Sequence, residues 1–135
     1  MTLRRIAGVL AGCVLWIFFF YAVGIAFGLL WPAYAEAARF MMQESDLSHF
    51  TTPMLFLNWL VFVIDGLLTG IGATLVGRER LPSLIVGGLL LVYGMINHYF
   101  LVWTELPAWY NVIVPFVIAG PVVAGGRLME ARLPR

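Results

Sequence analysis

From Ile6 to Trp31 the chain runs 26 residues without a single charged side chain. At about 1.5 Å per helical residue such a run spans the roughly 30 Å hydrocarbon core of a bilayer with some tilt. A helix apolar on every side cannot sit at the surface of a water-soluble globule. Composition extends the argument to the whole chain: 62% of residues are hydrophobic and 11% charged, against about 45–50% and about 25% in soluble domains. With 135 residues and about 20 per crossing, four helices and their connections use up the chain. No soluble catalytic domain fits beside them.

Punctuation residues divide the remainder. Pro32 closes the first run, and a more polar stretch follows to Thr52, with Glu36, Arg39, Glu44, Asp46 and His49. Within it Tyr34, Ala37, Ala38, Met41 and Met42 recur at helical spacing opposite Glu36, Arg39 and Gln43, which predicts a short helix on the membrane surface. Thr52-Pro53 is a helix-start signal, a hydroxyl cap before proline in the first turn. The spans are expected at about 6–31, 53–76, 84–103 and 108–125, with an outer loop at 32–52. Gly77-Arg78-Glu79-Arg80 and Thr104-Glu105-Leu106-Pro107 form the tight turns. The expected fold is thus a single all-α membrane domain, an antiparallel bundle of four transmembrane helices with an interfacial helix between the first two.

Charge placement orients that bundle. All eight basic residues are arginine, and Arg4, Arg5, Arg78, Arg80, Arg127, Arg132 and Arg135 fall on one side, leaving Arg39 alone on the other. The positive-inside rule makes the seven-arginine side, with both termini, cytoplasmic. Trp31, Tyr34, Tyr99, Trp103, Trp109 and Tyr110 cluster near the opposite interface, where amphipathic rings prefer to lie. The bilayer itself is therefore the first expected partner. Arginines scattered at membrane edges, with a net charge of +1, point to no nucleic-acid partner.

Helices in lipid associate through close packing and polar contacts. Gly8 with Gly12 and Gly24 with Gly28 form small-residue pairs on nearly opposite sides of the first helix, which suits contact with different neighbours or a second copy. Gly66, Gly70, Ala73 and Gly77 form a stripe on the second helix, and Gly87 and Gly94 share a face of the third. Pro115 and Pro121 interrupt the hydrogen bonding of the fourth.

Asp65 is the one acidic residue inside a span. It lies about 17 Å below the outer interface by helical rise, where a carboxyl should face the bundle interior or water. Asn58, Asp65 and Thr69 share one face of the second helix, and Tyr93 and Asn97 share one face of the third. Depth matching sets Asp65 level with Tyr93, and Asn58 roughly level with Asn97 and His98, which predicts an internal polar seam open to the outside. Such a seam serves either as interhelical glue, with Asp65 held in hydrogen bonds, or as an ion or proton site with His98 as outer relay.

The sequence holds no enzyme constellation: no Cys-x-x-Cys, no paired-histidine motif, no phosphate-binding loop, no serine with a base. His49 and His98 near the outer face, with Glu44, Asp46 and Glu105, fall short of a metal motif, so no metal or cofactor is expected. Cys13 is the only cysteine, which excludes an intramolecular disulfide. Leu10-Ala11-Gly12-Cys13 follows a basic pair as in a lipoprotein signal, but the apolar segment before it is too short and the run continues far beyond it. Cys13 reads as a buried thiol.

Gly66-Leu67-Leu68-Thr69-Gly70 followed by Arg78, Asn97, Pro107-Ala108-Trp109 and Gly125-Gly126-Arg127-Leu128 together resemble small four-span bacterial inner-membrane proteins with no assigned activity. The resemblance covers roughly the last 80 residues and implies four spans and the bacterial inner membrane, without a catalytic residue. The functional expectation is a non-enzymatic accessory or structural membrane subunit, with a homo-oligomer or a larger membrane complex both open. The alternatives are a small homo-oligomeric transporter or channel coupled through Asp65, and a lipid-acting membrane enzyme with a pocket opening sideways near Arg39 and His49.

Overall fold

The computed structural model describes residues 2–133; of the arginines read above, Arg135 lies outside the described residues. The chain forms α1 (Leu3–Leu30), α2 (Pro32–Glu44), α3 (Thr52–Gly77), α4 (Leu81–Ile96) and α5 (Ala108–Glu130), and α4 continues into a π-helical turn, Asn97–Leu101. Four helical segments have the length and apolarity of membrane spans: Leu3–Leu30, Thr52–Gly77, Leu81–Leu101 and Ala108–Glu130. The chain is an all-α, multi-pass membrane protein by that measure.

Several helices outrun the apolar stretches that define them. α1 begins before Ile6 and takes in Arg4 and Arg5, and α5 continues past Gly125 through Arg127 to Glu130. Backbone hydrogen bonding does not stop where the hydrocarbon does, and these ends carry the charges. α3 is capped one residue earlier than expected, by Thr51, whose hydroxyl makes no capping bond. α4 starts at Leu81 rather than near Leu84, because Pro82 in its first turn has φ already set for a helix. Arg78 turns the chain out of α3 with a left-handed φ of 56°.

Two ion pairs tie one end of the bundle together. Arg5 grips Glu79 through both carboxylate oxygens, and Arg80 Nη1 lies 3.8 Å from Glu130. The start of α1, the α3–α4 turn and the end of α5 are thereby gathered at one end, so successive spans run antiparallel. The opposite end carries Trp31, Tyr34, Trp103, Trp109 and α2. The two ends are called the arginine end and the aromatic end below.

α3 is the central helix and packs most extensively against α5 and then α1, while α4 lies against α5. Glycine makes those contacts close. A Cβ on Gly8 would fall 2.8 Å from the Ala73 carbonyl oxygen and from Pro82 Cγ, and one on Gly12 would fall 2.8 Å from Val86 Cγ2. α1 is therefore clamped to both α3 and α4 near the arginine end. Gly66 and Gly70 meet Pro121, Val122 and Gly126 on α5, Gly87 meets Val123, and Gly94 meets Pro115.

The second glycine pair of α1 behaves otherwise. A Cβ on Gly24 would have no neighbour within 4 Å, and one on Gly28 would meet only Ala35 of α2. α2 is the neighbour that the outer end of α1 meets. Its Tyr34 and Ala37 are buried with Met54 of α3, beside Phe27 and Trp31, while Met42, expected on the same face, is exposed. Large apolar side chains elsewhere on α1, including Leu10, Val14, Phe18 and Ile25, point outward, as lipid-facing positions do.

Candidate functional site

α1 and α4 touch near the arginine end, where Gly8 and Gly12 meet Pro82 and Val86, and in the aromatic half both line a half-open chamber of about 720 Å³. That falls within the range of small-molecule sites, about 300–1,000 Å³. Trp16, Phe20, Phe62, Leu90 and Ile118 line its apolar part. Trp16 and Phe20 stack on Phe62 with ring centroids 6.2 and 6.1 Å away. Ala38, Met41, Ser45, Leu47 and Phe50, from α2 and the following loop, close the top. The mouth lies between α1 and α4. Tyr21 and Tyr93 both line the chamber and are 50% and 56% exposed.

The loop of the roof is held by its own polar groups. Asp46 Oδ1 accepts a hydrogen bond from the Ser48 backbone N–H at 2.8 Å, and the Ser48 bonds keep the Asp46 carboxyl below the usual carboxylate range. His49 stacks on Phe40, its ring 3.9 Å away, and its Nε2 lies 3.4 Å from Asp46 Oδ2. His49 is thus engaged within the loop, and among the described residues no three His, Cys, Asp or Glu side chains gather as metal ligands. Neither Arg39 nor His49 lines the chamber, although their neighbours Ala38 and Phe50 do.

The polar residues at the chamber's upper level are organised in two groups. In the first, the Tyr34 phenol donates to Asn58 Oδ1 at 2.5 Å, joining α2 to α3. Burial pushes the Tyr34 phenol up from its ordinary pKa, so it remains a donor at neutral pH. In the second, His98 Nδ1 lies 2.9 Å from Asn111 Oδ1. Asn111 is fully buried on α5 and sends its Nδ2 toward the carbonyls of Val102, Trp103 and Leu106 at 3.5, 3.2 and 3.1 Å. Those carbonyls belong to the segment that follows the π-helical turn, whose own bond runs from Val102 N–H to Asn97 O at 3.0 Å. Irregular backbone within a membrane needs such partners, and π-turns often mark functional positions.

The expected seam is divided. Asn58, Tyr93, Asn97 and His98 all line the chamber. Asp65 and Thr69 do not. Asp65 is fully buried, accepts a hydrogen bond from Thr69 at 3.3 Å, and leaves Oδ2 without a partner. No hydrogen bond joins it to Tyr93 among the described residues. Asn58 and Asp65 do share a helical face, but the neighbours of that face change along its length. Toward the aromatic end that face lines the chamber with Asn58 and Phe62; seven residues after Asp65 it packs on α1, where Gly72 meets Leu15.

Asn111, Tyr34 and Tyr110 are the chamber-level polar residues that depth matching did not find, because it paired the second span with the third only. Asn111 had a signal of the same kind as Asp65, a lone amide inside an apolar span. It also sits four residues before Pro115, whose missing N–H leaves the Asn111 carbonyl without its helical partner. Comparison with protein-family models, curated proteins and solved structures finds no match to this chain.

Proposed function

We propose that this multi-pass membrane protein is non-enzymatic and acts by binding, holding an amphipathic molecule that enters its chamber sideways from the lipid. The chamber itself carries the reading: its lower walls are largely apolar, its upper level bears hydrogen-bonding groups, and its mouth opens between two lipid-facing helices. Among the described residues no carboxylate, arginine or cysteine lines it, and His98 is engaged with an amide rather than with an acid or a nucleophile. That supports an accessory role in which the ligand is held or handed on without being transformed. The arginine distribution supports placing the arginine end in the cytoplasm, with the chamber in the outer leaflet.

Native mass spectrometry of protein purified in mild detergent tests this. The wild type is expected to carry a bound amphipath, and Ala38→Trp, which fills the roof of the chamber, is expected to release it while the protein stays folded. A wild type that is empty on purification and takes up no added lipid would sink the proposal.

In the same reading Asp65 is a packing group. It lies outside the chamber, fully buried, with the Thr69 hydroxyl as partner. Asp65→Asn keeps the size and the hydrogen bond while removing the ionisable proton. It is expected to alter stability by less than about 1 kcal/mol, the scale of single polar contacts between membrane helices, and to leave ligand retention unchanged. A pH-dependent uptake in proteoliposomes that disappears in Asp65→Asn would instead favour ion coupling.

A further inference from the structure

Three bonds to backbone carbonyls determine which way the Asn111 amide faces. Its nitrogen points at the carbonyls of Val102, Trp103 and Leu106, all of them acceptors only, so its oxygen is the atom presented to His98. An amide oxygen accepts and cannot donate. His98 Nδ1, 2.9 Å away, must then be the nitrogen that carries the proton. In a neutral imidazole the other nitrogen, Nε2, is left as a bare acceptor. His98 is 9% exposed and lines the chamber, and no protein group among the described residues donates to Nε2. The site therefore presents a fixed, unpaired acceptor to whatever occupies it.

The chamber's other property is the absence of charge. Among the described residues no Asp, Glu or Arg lines it, and a phosphate or carboxylate head buried there would lack a counter-charge. Below His98 the walls run for about 12 Å, the helical rise from His98 to Leu90 and from Tyr110 to Ile118, and are apolar there except for the phenols of Tyr21 and Tyr93. From these features we infer that the occupant is a long-chain lipid with an uncharged, hydroxyl-bearing head, whose O–H donates to His98 Nε2 while its chain lies along Trp16, Phe62 and Leu90. Asn97, at the same level, also lines the chamber and faces any second oxygen of the head. This assignment rests on the chamber being a binding site and adds the chemistry it selects.

The test uses three probes with one brominated C18 chain: the primary alcohol, its methyl ether and the corresponding carboxylate. Binding to the full chain in nanodiscs is read as the part of the tryptophan quenching that is lost in Trp16→Phe. The wild type is expected to bind the alcohol on the order of tenfold more tightly than the ether, the scale of leaving one buried acceptor unpaired, and more tightly than the carboxylate. In His98→Phe the alcohol should fall to the affinity of the ether, with ether binding retained. Equal binding of alcohol and ether by the wild type, or a preference for the carboxylate, overturns the hydroxyl assignment and leaves the chamber reading standing. Absence of Trp16-dependent quenching by all three overturns both. The alcohol-to-ether ratio is measured on the wild type, so the outcome does not depend on the variant folding.

Discussion

Gly70→Ala is expected to destabilise the bundle by about 3 kcal/mol or more, at or beyond the top of the usual range for overpacking a core. A Cβ at Gly70 would fall onto the Val122 carbonyl, 2.8 Å from its carbon and 2.9 Å from the Gly126 nitrogen. Those are backbone atoms of the facing helix, which cannot rotate aside as a side chain would. Relief requires α3 and α5 to separate, and this is the most extensive helix contact in the protein. Gly125→Ala meets the same crossing from the other side, with its Cβ directed at the Leu67 carbonyl, and should cost a similar amount. The double variant should cost less than the sum, because helices already forced apart accommodate the second methyl. Gly24→Ala and Gly120→Ala are the controls. Neither Cβ would have a neighbour within 4 Å, so both should be neutral or gain up to about 1 kcal/mol from helix propensity. Unfolding by SDS in mixed micelles separates the two groups. Equal effects at Gly70 and Gly24 would contradict the close crossing.

The second large effect is expected at Asn111. Asn111→Leu has nearly the volume of the amide but none of its hydrogen bonds, leaving three carbonyls and His98 Nδ1 without this partner. At about 0.6–2 kcal/mol per interhelical polar contact, the loss should come to about 3 kcal/mol. Asn111→Asp is the sharper comparison because it keeps the shape. An ionised carboxylate only accepts, so it would face those carbonyls with like polarity, and the variant should be at least as unstable as Asn111→Leu at neutral pH. Protonation restores one donor, so part of the deficit should return as the pH is lowered. Unfolding free energies at two pH values, with ¹⁵N shifts of the His98 ring, measure both consequences. A stable Asn111→Leu protein with an unchanged His98 tautomer would remove Asn111 from its organising role.

These two expectations differ in how far the sequence anticipates them. The Gly66–Gly70 stripe is legible as a packing surface, since four-residue spacing puts both glycines on one helical face and small residues are what membrane helices use to approach. Its partner is not legible, because face and depth are local properties while the choice between α4 and α5 is made by the whole arrangement. Asn111 is visible as a polar residue in an apolar span, yet nothing local says that it bonds the segment after the π-turn. Those carbonyls lie five to nine residues back along the chain, beyond the reach of helical periodicity.

The uncharged run from Ile6 to Trp31 and the apolar composition by themselves determined that the chain crosses a bilayer. The three later apolar stretches and the proline and arginine boundaries between them determined the four spans and the antiparallel order, since in lipid the backbone must satisfy itself within each helix. What only the tertiary structure decided is where the polar face of α3 is sealed and where it is open. Asn58 and Asp65 are equivalent on a helical wheel, but Asp65 is fully buried with Thr69 as its partner, while Asn58 lines the chamber. That difference arises from the angles between helices, which depend on every contact along their length.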